Sequence, residues 1–167
     1  MMATGNIAYQ AAQTLTNAIA SLATSSTWVA GYESATVDNT TNLFLDYIFD
    51  GKVTVGTTPT SGTEIRIYVV ASVDGTTWPD VFDGTTGAET ATSEGVRDSF
   101  AKLAAVLRVD STTSDRAYPF CFSVASLFGG VCPPKFVLFT VHNSGVNLNS
   151  TAGNHVFNYR GVNYTIA

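Results

Sequence analysis

Two histidines, three closely spaced aspartates, two cysteines and a scatter of aromatic rings are the groups in this chain that could do chemistry. His142 or His155 could serve as the general base of a hydrolytic triad and activate a serine hydroxyl. No serine stands in a GxSxG setting, and neither histidine has a carboxylate at a spacing that would orient its ring. Both lie on or beside runs that read as strands, so surface or strand-end histidines are expected and no catalytic residue is assigned. Asp74, Asp80 and Asp83 fall within VDGTTWPDVFDG and could offer oxygen ligands to calcium. Their spacing is not that of an EF-hand loop, and Asp-Gly is first of all turn chemistry, so neither a metal nor a cofactor is expected. Cys121 and Cys132 are too few for a disulfide framework and lack the second pair that a zinc site needs. Cys121 sits in the run RAYPFCFSVAS and Cys132 in the turn GGVCPP, so strand register keeps them apart and two free, mostly buried thiols are expected. Trp28, Trp78 and the tyrosines could stack on sugar rings, although aromatic side chains in a sheet protein more often serve cores and interfaces.

The elements that must position these groups are strands. Thr, Val, Phe, Tyr and Ile recur in short runs punctuated by Gly, Pro, Asp and Asn. In TEIRIYVVASVDG, Ile65, Ile67, Val69, Ala71 and Val73 alternate with Glu64, Arg66, Tyr68 and Ser72, which is the period of a half-buried strand. LFLDYIFDGKVTV is apolar on both faces except at Asp46 and Asp50, and KFVLFTV is apolar throughout after Lys135, so both suit central strands or strands covered by a partner. Further strands are expected over residues 14–24, 28–37, 100–110, 116–127 and 155–166. In the last, a bulge at Arg160-Gly161 would bring Val162, Tyr164 and Ile166 into phase with His155, Phe157 and Tyr159. A helical turn can precede the strand at 100, where Asp98 and Lys102 form a favourable i,i+4 pair. The expected fold is all-β: a single sandwich of about eight strands, jelly-roll-like, spanning 14–167 behind a flexible N-terminal arm of residues 1–13.

At 167 residues the chain is the size of one domain with one core. Only 13% of its residues are charged against 45% hydrophobic, so stability must come from apolar packing. The formal charge is −5, and the eight cations stand singly between Lys52 and Arg160. Nucleic-acid binding needs clustered cations, so it is not expected. The N-terminus MMATGNIAYQAAQ has neither a positive n-region nor a long apolar stretch, which implies synthesis in the cytoplasm with no signal peptide and no membrane anchor.

Two connections are long. Residues 75–98 are rich in Gly, Thr and Asp yet hold three large apolar residues, Trp78, Val81 and Phe82, which no alternation explains. They are expected to form a partner contact on a loop that folding does not need. Residues 143–154 form a second, shorter connection.

The phrases VDNTTNLFLDY, SVDGTTWPD and FSVASLFGGVCPPKFVLFTVHNSGVNL, followed by a short aromatic C-terminal strand, resemble small β-sandwich virion proteins of tailed bacteriophages that decorate or cement the capsid. The resemblance runs from about Val37 to the C-terminus and is one of layout, with no catalytic signature to transfer. It implies a jelly-roll-like sandwich, self-association as a dimer or trimer, and docking on a major capsid protein or other virion proteins. The location implied is the virion. A tail, baseplate or fibre component is the alternative within that class, and a carbohydrate-binding module used in host attachment is the alternative outside it. An enzyme such as a depolymerase would need paired carboxylates in a recognisable setting, so the chain is expected not to be one.

Overall fold

The computed structural model describes residues 5–166. Runs of β-branched and aromatic residues become eleven strands, and one helix opens where Ser93 accepts the Val96 N–H as an N-cap. In chain order these are β1 (Gly5–Tyr9), β2 (Gln13–Thr14), β3 (Ala30–Glu33), β4 (Val37–Asp38), β5 (Asp46–Thr54), β6 (Thr63–Ala71) and β7 (Gly87–Thr90). Then follow α1 (Glu94–Phe100), β8 (Lys102–Val109), β9 (Ala117–Ser123), β10 (Lys135–His142) and β11 (Val156–Ile166). All pairings are antiparallel and make two sheets. The first runs β1-β11-β5-β9, with β2 also on β11; the second runs β7-β3-β10-β6-β8, with β4 also on β10.

The pairings are nested: β1 with β11, β3 with β10, β5 with β9 and β6 with β8. The chain therefore goes out and comes back as one long ribbon rolled into two sheets, which is the jelly-roll form of the all-β sandwich expected. Phe49, Phe136, Tyr47, Leu138, Ile65 and Ile67 meet between the sheets, all essentially without solvent contact. Phe49 stacks on Phe122 at 5.3 Å and meets Phe136 edge-on at 6.0 Å. Each such side chain removed from water contributes about 1.5–3 kcal/mol, which suits a chain with few charges.

The structure corrects several sequence expectations. Residues 5–9 of the supposed flexible arm form an edge strand on β11, because Ile7 and Tyr9 alternate in register with Tyr164 and Val162. Of residues 14–24 only Thr14 is in a strand; the rest crosses from one sheet to the other, from Leu15 N–H on Phe157 O to Ser25 N–H on His142 O. Leu15 and Ile19 plug the core end on the way. There is no bulge at Arg160-Gly161, since pairing with β5 runs unbroken from Val156 to Val162. Gly161 takes a core-facing position under the ring of Phe44, and Val162 and Tyr164 stay on the outer face. The helical turn before residue 100 is α1, but Asp98 pairs with Arg97 and Lys102 already belongs to β8.

Gly51 of β5 lies across from Phe157 of β11 with no room for a side chain. A Cβ there would lie 1.9 Å from the Val156 carbonyl oxygen, on backbone that cannot yield without breaking β5–β11 pairing. Gly51→Ala should therefore cost about 3 kcal/mol. Gly153→Ala, where an added Cβ meets nothing within 4 Å, should leave the denaturation midpoint nearly unchanged; equal midpoints for the two variants would refute the close approach.

Candidate interaction surface

The long connection after β6 is a lid over the outer face of the second sheet. Tyr68, Val70, Val137, Phe139 and Val141 point away from the main core and form a second one with Phe82 and Ala101, edged by Trp28, Trp78 and Phe100. Phe82 meets Phe139 edge-on at 5.1 Å and Phe100 at 5.8 Å. The apolar outer face of β10 is thus covered by the chain itself.

This placement corrects the expected partner contact. Phe82 is buried, Trp78 is packed against the second core, and only Val81 of the three is exposed. The lid is anchored at Gly84, whose φ of +81° favours glycine and whose pro-Cβ position faces the Trp78 ring at 2.8 Å. Its N–H donates to Glu33 Oε1 at 2.8 Å, and its carbonyl accepts from the Thr36 hydroxyl at 2.6 Å. A second anchor is the fully buried Arg97. Its guanidinium lies 4.6 Å from the centroid of the Tyr68 ring, donates to the Trp28 carbonyl and binds Asp98 Oδ1 at 2.8 Å. Arg66 in turn covers Trp28 at 3.8 Å and pairs with Glu64.

The histidines and aspartates that the sequence singled out hold loops. His142 Nε2 donates to the Leu22 carbonyl at 3.0 Å, and its Nδ1 lies 2.9 Å from the Ser144 hydroxyl. Burial drops its pKa to about 4, so the ring is neutral at pH 7. His155, also lowered by burial, donates from Nε2 to the Asn149 carbonyl at 2.9 Å. Asp74 accepts the N–H groups of Thr77 and Thr76, which hold its carboxyl far below the usual range. Asp80 binds Thr92 through both oxygens, and Asp83 accepts the Thr85 N–H. Among the described residues no His, Cys, Asp or Glu side chains converge as a metal cluster. Cys121 and Cys132 are free thiols, but Cys121 is exposed rather than buried because it lies on the outer face of β9. No helix among the described residues is long and apolar enough to cross a membrane.

What the molecule does present is an apolar end of the first sheet. Ile7 pairs with Tyr164 and Tyr9 with Val162, which puts all four on one face of the β1–β11 ribbon, opposite the core-facing Phe157 and Tyr159. Ile7 is 59%, Tyr9 66% and Tyr164 66% exposed. Leu43 and Leu45 are exposed nearby, with the Leu45 N–H on the Val162 carbonyl at 2.8 Å. Exposed apolar patches of this kind mark interaction sites. Sequence reading missed this one by assigning its first strand to a flexible arm, although Ile7 and Tyr9 already alternate there. A second, smaller apolar pair, Leu103 and Val106, lies on edge strand β8 beside Glu64, Arg66 and Asp98.

Two predictions follow from the lid. Phe82→Ala should destabilise the protein by about 3–5 kcal/mol in chemical denaturation, whereas Val81→Ala should stay within about 0.5 kcal/mol. Replacing residues 79–92 by a Gly-Ser turn should abolish cooperative melting; a shortened chain that melts like the parent would refute the second core.

Glu33 supplies the pH test. It has no solvent contact, its Oε2 has no hydrogen-bond partner, and burial raises its pKa to about 7. The protonated form is the stable one in the fold. Its contribution is complete below the unfolded value near 4.5 and is lost as pH rises to about 7, opposite in sign to His142, whose contribution is complete above 6.5 and lost as pH falls towards 4. Glu33→Gln should therefore gain on the parent by about 3 kcal/mol between pH 4.5 and 7 and run parallel to it above. A pH-independent difference would overturn this assignment. No protein-family model matches this chain, and no curated protein does.

Proposed function

We propose that the chain is a structural protein of a virus particle, working as a decoration or cement protein on the shell of a tailed phage through protein–protein contacts, including contacts with its own copies. The observation that carries this reading is the apolar ribbon of exposed Ile7, Tyr9 and Tyr164 with half-buried Val162, which stands on a sandwich whose large outer face over β10 is covered from within. The jelly roll is a fold of viral shell domains, and the sequence resemblance to small virion proteins points the same way. Fold alone does not give function, so the ribbon bears the weight. Low charge and Thr-, Ser- and Asn-rich turns suit a surface that meets other proteins.

A second reading has its own support. Jelly rolls also serve as lectins, and Tyr9 and Tyr164 are exposed diagonal neighbours on one sheet face, where sugar rings could stack. It would make the chain an attachment module on the same particle.

Gradient-purified particles from the producing host should contain the chain in a fixed ratio to the main shell protein. Recombinant chain added to particles lacking it should rebind and raise their disruption temperature by several degrees, and the double variant Tyr9→Ser, Tyr164→Ser should rebind at least tenfold more weakly. Absence from particles would sink the proposal. Binding to a glycan array that the double variant loses would favour the attachment module instead, and closed shells formed by the chain alone would make it the shell subunit.

A further inference from the structure

The geometry points to the free edge of β1 as a self-association surface, where a second copy of this chain adds its own β1 antiparallel about a two-fold axis through Ile7. This deepens the proposed self-association by naming its surface and rests on it. Among the described residues, β1 has β11 on one side and nothing on the other. The Gln10 N–H donates to the Gly161 carbonyl at 2.9 Å, and backbone groups alternate in direction along a strand. Asn6 and Ala8 therefore share the inward direction of Gln10, while Gly5, Ile7 and Tyr9 present their N–H and C=O groups outward.

An antiparallel pair centred on Ile7 satisfies all of these groups at once. Ile7 exchanges both hydrogen bonds with Ile7 of the second copy, and Gly5 exchanges both with Tyr9 of the second copy, and the reverse. A two-fold axis makes one short strand its own complement. The register also gives Gly5 a role. An added Cβ there would meet nothing within 4 Å, so its own chain does not require a glycine. In the pair, Gly5 lies directly across from Tyr9 of the second copy, where the ring can cover the bare backbone, a recurrent arrangement at sheet edges. The row Tyr164–Ile7 continues into Ile7–Tyr164 of the second copy, joining two small apolar patches into one.

Charge does not oppose the contact. The sequence has no charged residue before Glu33, and β1 carries no Lys or Pro and no bulge, the usual devices that keep an edge unpaired. Five residues of strand with a few side chains fall short of the roughly 1,600 Å² of a standard interface, so the free dimer should be weak. A shell lattice would raise the effective concentration enough to make it persistent.

Sedimentation velocity on the whole chain should show a reversible dimer with a dissociation constant on the order of tens of micromolar. Ile7→Pro removes only an outward donor, leaves the hydrogen bonds to β11 in place, and should weaken the dimer at least tenfold with little change in melting. In a Cys121→Ser background, Ile7→Cys should form a disulfide-linked dimer in air, since hydrogen-bonded cross-strand pairs sit about 5.5 Å apart at Cα, and Ala8→Cys should not. A wild-type chain that stays monomeric to hundreds of micromolar overturns both the inference and the self-association beneath it. A dimer unmoved by Ile7→Pro, together with crosslinking at Ala8→Cys as fast as at Ile7→Cys, overturns the surface and leaves self-association standing.

Discussion

The burial of both faces of β10 is the constraint on which the rest of the structure depends. Phe136 and Leu138 point into the main core, Val137, Phe139 and Val141 point the other way, and none has solvent contact. A two-sheet sandwich covers only one face of each sheet, so a strand apolar on both sides forces a third layer. The segment from Gly75 to Ala101 is that layer. Its length, its Thr- and Gly-rich turns and its isolated Trp78 and Phe82 all follow from having to cross a sheet face and drop rings onto it.

Within that layer β7 is laddered on β3, and buried polar groups hold the irregular remainder in place. Gly84 is gripped by Glu33 from β3 and by Thr36, Trp28 is tied down by Arg97, and Leu22 on the opposite crossing is held by His142. Each choice of side chain leaves a buried group that would be costly if charged and unpaired. Burial works against charge on both Glu33 and His142, raising the carboxyl to about 7 and dropping the imidazole to about 4. Arg97 has Asp98, a carbonyl and the Tyr68 ring around it. Buried polar side chains are thus the fasteners of the irregular segments on both sides of the sandwich.

Much of this fold was legible because alternation is a local signal. β6 as a strand, β10 as a central strand, and β5 with its polar breaks at Asp46 and Asp50 all follow from side-chain period alone, although β6 read as half-buried is covered on its second face at Tyr68 and Val70, and Val73 after it is exposed. What local pattern cannot say is who covers a second apolar face. KFVLFTV reads the same whether a partner or the chain's own residues 75–101 lie on it, and that ambiguity moved Phe82 from core to surface. The same blindness worked in reverse at the N-terminus. Ile7 and Tyr9 gain their register only from Tyr164 and Val162, more than 150 residues away, so a five-residue run without charge looked like an arm. The supposed bulge at Gly161 failed for a related reason: Val162 and Tyr164 are apolar on the outer face, which a rule that sends apolar residues inward cannot accommodate.

The two apolar additions to the sandwich differ in how they are coupled to it. The lid lies on the second sheet and shares Phe139 and Tyr68 with the main strands, so any change in it is felt by the fold. The ribbon of β1 and the end of β11 extends past the first residue of β5, Asp46, which pairs with Val162. Beyond that point β1 and β11 pair only with each other among the described residues, and substitutions there should be additive with those in either core. A surface so placed can vary its partner, or bind and release it, without drawing on the packing that keeps the domain folded. In the lid, by contrast, apolar residues are fixed by the shape of the face beneath them. The separation suits a chain with so few charges that leaves Ile7, Tyr9 and Tyr164 in water, because their exposure is confined to one end of the first sheet, outside both cores.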